Sequence, residues 1–187
     1  VTQWPVNEEP DGLSVTPDHN LLVNLFVTCR EARKLKEFTS VGELLREVIL
    51  ESDIGHPWHA VQLTSGQFVV CHGNASDPVH RVVIVGADGR IRQSYGGPRG
   101  PALSQLDEPV RIGVNKDGLI LVANRSNRRV LVLSPTLSYV CQLLTPQHFI
   151  QRWYPLRLCI DSSNNRVYIG EGVWEDNKWT AGKVTAL

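Results

Sequence analysis

Apolar and polar positions along this chain recur with a long period. A proline opens a short run with an apolar residue at every second position, and it does so four times: Pro10–Val15, Pro57–Val61, Pro109–Val114 and Pro155–Ile160. These prolines stand 47, 52 and 46 residues apart. Alternation at a period of two predicts a strand with one buried face. Each run ends in turn chemistry, at Thr16–Asn20, Thr64–Gly66, Asn115–Gly118 and Asp161–Asn165. A nearly continuous apolar strand follows at Leu21–Phe26, Phe68–Cys71, Leu119–Val122 and Val167–Ile169. A strand apolar on both faces belongs inside a stack of sheets. A longer polar loop comes next, and then a basic residue that opens a third strand: Arg33, Arg81, Arg129 and Lys183, at spacings of 48, 48 and 54. More polar fourth strands are read at Gly42–Val48 and Gly89–Tyr95.

Four strands per unit, with polarity rising outwards, predict an all-β fold: a β-propeller of four-stranded antiparallel blades. The whole chain reads as one domain, with blades at about 7–50, 51–97, 98–146 and 147–187. The helix candidates are 41–50, which the repeat phase turns into turn plus strand, and 147–153. The fourth unit stops within its third strand, while residues 1–6 precede the first unit. Residues 1–6 are therefore expected to supply the closing outer strand of a four-bladed ring. The rival is part of a six-bladed ring, whose open ends would favour self-association.

Composition narrows the function classes. Lys+Arg and Asp+Glu both number 19, so a uniformly basic nucleic-acid surface is not expected. No apolar run approaches the ~20 residues of a membrane helix, and neither a signal-peptide pattern nor a Met is present. Cys71, Cys141 and Cys159 fall in strand-like runs, and no cysteine sits in a CxxC pair. They read, with Cys29, as reduced core cysteines of a cytoplasmic protein.

The stretch His80–Gly97, and its continuation from Leu106–Pro109 through Asn127–Leu133, resembles the NHL repeat: a basic strand start, an apolar strand, Asp-x-Gly, a Gly-rich stretch, Pro, a Gly turn and Val-Ala. Departures are Asn124, where the family has Asp, and Asn127-Arg128-Arg129 at the name-giving Asn-His-Leu. The texture is similar to the C-terminal propellers of tripartite-motif ubiquitin ligases. That resemblance implies a module that binds a protein or single-stranded RNA. No RING or zinc-box cysteine pattern accompanies it.

In a propeller the loops of one face carry function, and in NHL propellers the second-to-third strand loops and the inter-blade loops share a face. Those loops nominate Arg30, His56, Trp58, His72, Arg99, Arg125, Asn127, Arg128, Trp153, Tyr154 and Trp174 as ligand-face residues. Arginines with aromatics suit protein hot spots and stacked bases alike. The periodic basic residues are instead expected to bond neighbouring loop carbonyls or carboxylates. His56 and His59, with His72 and His80 nearby, raise a zinc site and a propeller lyase or hydrolase. Residues three apart on a strand face opposite sides, however, and the third and fourth units carry no matching His. The reading is a non-catalytic recognition module with no cofactor and no metal. A protein partner is favoured over single-stranded RNA because the net charge is zero.

Overall fold

The computed structural model describes residues 3–15, 25–149, 153–176 and 178–187. Four antiparallel sheets follow one another along the chain as the blades of a propeller. The first holds β1 (Pro10–Val15), β2 (Leu25–Cys29), β3 (Lys34–Phe38) and β4 (Leu44–Ile49). The second holds β5 (Pro57–Gln62), β6 (Phe68–His72), β7 (Val79–Val85) and β8 (Ile91–Pro98). In the third are β9 (Pro109–Val114), β10 (Ile120–Asn124), β11 (Arg129–Leu133) and β12 (Tyr139–Leu144). The fourth has three strands, β13 (Trp153–Asp161), β14 (Arg166–Glu175) and β15 (Lys178–Ala186). No helix among the described residues is long and apolar enough to cross a membrane.

The two-faced apolar strands do what their pattern requires. On β6, Phe68 and Val70 enter the core shared with the first blade, beside Leu35 and Val48. Val69 and Cys71 point the other way, into the core shared with Ile112, Val122 and Leu131 of the third. A smaller core of Val130, Leu144, Phe149 and Ile169 joins the third and fourth blades. The inner strands pack in the order β1, β5, β9, β13, each against the next.

The periodic basic residues act as clamps on loop carbonyls. Arg129 donates to the carbonyls of Pro101, Ala102 and Gln105 at 3.2, 2.7 and 2.6 Å. Arg81 reaches Asp53 O at 2.9 Å, and Arg33 reaches Ser52 O at 3.4 Å.

Several expectations are corrected. Residues 3–9 form no strand, and β15 pairs only with β14 among the described residues. The N-terminal segment lies on the first blade instead: Trp4 and Val6 pack on Val27, Cys29 and Phe38, and Lys36 Nζ donates to Val6 O at 3.1 Å. An apolar Trp-x-Val pair gains more by covering that core than by extending an exposed edge. Lys183 does not open a strand. It sits inside β15, opposite Glu171, with Nζ 3.1 Å from Glu171 Oε2. Between Thr145 and Trp153, the described residues show only a 3-10 turn at Pro146–His148. Cys29 and Cys71 are buried, whereas Cys141 and Cys159 are exposed. Cys141 lies on the outer strand of its blade, and Cys159 on a strand of the last one. The turn expected at 16–20, and residues 21–24 of the strand expected there, lie outside the described residues.

Candidate functional site

The four inner strands share one irregularity. Each carries a β-bulge directly after its proline. The ladder passes from Pro10 to Gly12, from Pro57 to His59, from Pro109 to Arg111 and from Pro155 to Arg157. The extra residues are Asp11, Trp58, Val110 and Leu156. A bulge re-aims its side chain out of the pleat, and here all four line one concavity at the mouth of the propeller axis, with Arg111, Arg125, Arg157 and Trp179.

This mouth runs into a larger cleft of about 500 Å³, walled by Trp58, Tyr154, Trp174 and Trp179, with Glu108, Arg125 and Ser126 at its polar end. Trp174 and Trp179 face one another across the β14–β15 ladder, edge to face, with ring centroids 5.0 Å apart. Tyr154 meets Trp179 edge-on at 6.2 Å. Trp174 and Trp179 remain 45% and 41% exposed, so much of this aromatic surface faces water. Gly172 makes room for Trp179: a Cβ there would meet Leu156 Cδ1 at 2.7 Å and Trp179 Cε3 at 3.0 Å.

Trp58 is fixed from several sides. Its Nε1 donates to Gly73 O at 2.9 Å, and its carbonyl accepts from Arg111 Nη1 at 3.2 Å. The guanidinium carbons of Arg30 and Arg125 lie 4.7 and 5.6 Å from its ring centroid, within cation–π range. Arg30 pairs with Asp11 at 3.3 Å and Arg125 with Glu108 at 2.5 Å. Burial pushes the Glu108 carboxyl up, but hydrogen bonds from Arg125 and Ser126 outweigh it and hold it below its ordinary range. Glu108 also has φ +51°, in the left-handed region that a residue before proline avoids. Its amide donates to His80 Nδ1 at 2.8 Å, and its carboxylate is tied to Arg125 and Ser126, so the strained backbone is held from both ends.

Of the residues expected on the ligand face, Arg30, Trp58, Arg125, Tyr154 and Trp174 come together here. The others do not. His72 is a correction: it is 1% exposed, within β6 and not in a loop. Burial, reinforced by Arg81, pushes its imidazole down to about 4, and its Nε2 accepts from Arg81 Nε at 3.3 Å. His56 pairs with Asp77 at 2.8 Å. Arg99 pairs with Asp107 at 2.9 Å and donates to Ala75 O at 3.0 Å. Asn127 donates to Gly100 O at 2.9 Å, and Arg128 closes the β10–β11 turn at φ +48°. Trp153 packs in the core between the last two blades, with Lys183 Nζ 5.0 Å from its ring centroid.

His59 does not join His56. It is buried at the axis, with Nε2 3.1 Å from Leu13 O, and burial, aided by Arg111, takes its imidazole down to about 4. Among the described residues no three His, Cys, Asp or Glu side chains converge to hold a metal ion.

Trp179, Glu108 and Ser126 escaped the sequence reading. Trp179 was missed because Lys183 stood in as the strand opening, although Trp174-Glu-Asp-Asn-Lys-Trp179 reads as a hairpin tip with a tryptophan at each end. Glu108 occupies the place before the blade proline that His56 and Tyr154 hold elsewhere.

No family model and no curated protein matches this sequence. Solved structures do match. A virginiamycin B lyase from Staphylococcus aureus superposes with a TM-score of 0.60 at 15% identity, over 94% of this chain and 54% of that one. A gluconolactonase from Xanthomonas campestris gives 0.53 at 14%, over 86% and 57%. The glutaminyl cyclase of Myxococcus xanthus gives 0.55 at 11%, over 93% and 72%. The chain thus spans little more than half the length of the first two. At such identities the likeness shows the β-propeller fold alone, and it does not single out tripartite-motif NHL domains.

Proposed function

We propose that this chain is a recognition module without catalysis of its own, and that it binds a segment of a partner protein in the cleft walled by Trp58, Tyr154, Trp174 and Trp179. One observation carries the reading: bulged inner strands and the β14–β15 hairpin bring four aromatic side chains to one concave place, two of them nearly half exposed. Rigid aromatics in a cleft, flanked by arginine, are the composition of protein hot spots. The NHL resemblance supports a role as the partner-recognition part of a tripartite-motif-like protein. The four free cysteines support a reducing compartment, the cytoplasm. The histidines that raise a metal-dependent lyase are committed to Asp77, Leu13 O and Arg81, which supports binding over catalysis.

Single-stranded RNA is the second reading, supported by the arginines set against Trp58. The test is selection from a displayed library of random 12-residue peptides. Selected peptides are expected to bind the wild-type chain and to lose about ten-fold or more in affinity to Trp58→Ala and Trp179→Ala. Peptides indifferent to both changes would overturn the cleft as the site. Oligouridine binding that weakens steeply with salt, with no peptide selected, would favour RNA.

A further inference from the structure

Resting on that reading, we infer that the partner segment carries an acidic side chain beside the residue that enters the aromatic cleft, and that its carboxylate is received at the axis mouth by Arg157 and Arg111. These two arginines occupy the same phase, two residues after the blade proline, in the third and fourth blades. The corresponding places in the first and second hold Gly12 and the buried His59, which contribute no negative charge. Arg111 directs its guanidinium to backbone carbonyls, with Nη1 3.2 Å from Trp58 O and Nη2 2.9 Å from Asp11 O. That bridge joins three blades across the axis, and among the described residues the only carboxylate acting in favour of the Arg111 charge is Asp11, which already pairs with Arg30. Arg157 is exposed and donates to the carbonyl of its own neighbour Leu156 at 2.9 Å. Among the described residues neither arginine is ion-paired with a carboxylate, whereas Arg30 and Arg125 beside them each are. Burial and the neighbouring Arg157 both act against the charge on Arg111. An incoming carboxylate relieves that repulsion and meets the planar donors of Arg157.

The concavity holding both arginines shares Trp58, Arg125 and Trp179 with the aromatic cleft. One anionic group and one apolar or aromatic group a residue or two apart would therefore fill both. An acidic peptide fits better than an RNA strand. A repeating phosphate backbone would meet not only Asp11 but also Glu31, Asp107 and Glu108, the carboxylates paired with Arg30, Arg99 and Arg125. Among the described residues a single carboxylate meets only Asp11 in this concavity, and Arg30 already pairs with it.

The experiment uses peptides from the 12-residue displayed library, each resynthesised with Glu→Gln and Asp→Asn, titrated against wild type and Arg157→Gln. Arg157 is exposed, so this variant leaves the fold intact. Arg111→Gln, which removes the three-blade bridge, is used only if circular dichroism shows it folded. Expected are Asp or Glu next to an apolar residue in the selected peptides, about ten-fold weaker binding of the amide versions, and a similar loss for Arg157→Gln. Losses from amide substitution that vanish in the Arg157→Gln background would identify the pair. Peptides that need Trp58 and Trp179 but bind equally well as amides, or to Arg157→Gln, overturn the acidic inference and leave the recognition reading standing. Peptides independent of both tryptophans overturn both. Oligouridine of 12 nucleotides that binds through Arg157 while no peptide does reassigns the arginines to phosphate and also overturns it.

Discussion

Each blade repeats residues whose work differs by position, and the sequence period separates them. The clamp arginines were legible as structural because they recur in phase, and Arg129 holds three loop carbonyls accordingly. Individual exposure was less legible. His72 follows an apolar run and reads as the start of a loop, yet the ladder continues through it to Arg81. Two buried imidazoles give a residue-scale prediction. His59 and His72 lie near 4 in the folded chain against an ordinary 6.5. Between those values the unfolded chain binds the extra protons, so stability falls as pH falls from 6.5 towards 4. The full effect is on the order of 3 kcal/mol for each imidazole. Urea midpoints should drop from pH 7 to pH 4.5. The drop should shrink in His72→Gln, whose amide oxygen can still accept from Arg81. A midpoint that rises on acidification would contradict the burial of both rings.

At the scale of elements, inner strands were legible because alternation and a leading proline mark them, and all four lie where those marks fall. The bulges were not. One extra residue after a proline leaves no mark in apolar alternation, and only the ladder registers expose it. The apolar run predicts a strand only over Val167–Ile169, because Gly170 and Gly172 interrupt it, whereas β14 extends to Glu175. Those glycines belong to the strand, and Gly172 lets Trp179 lie against Leu156. Gly172→Ala should therefore displace Trp179 and weaken peptide binding about ten-fold, while the melting temperature falls by only a few degrees, about the effect of 1 kcal/mol of overpacking. Unchanged affinity in a folded Gly172→Ala chain would mean that the position of Trp179 does not matter.

On the scale of the molecule, four blades were legible from the period alone, since repetition fixes how many sheets stack. The placement of residues 3–9 was not, because an apolar terminal segment suits either an open edge or an open face. Trp4 and Val6 chose the face of the first blade. The same stacking spreads the chain's five tryptophans over distinct environments: Trp58, Trp174 and Trp179 at the cleft, Trp4 on the first blade, Trp153 in a core. That distribution offers a direct reading of the central claim through the indole N–H signals of 15N-labelled protein titrated with a selected peptide. The account predicts that Trp58, Trp174 and Trp179 shift together with one affinity while Trp4 and Trp153 stay in place. Shifts confined to Trp4 or Trp153, with the three cleft signals unmoved, would contradict it.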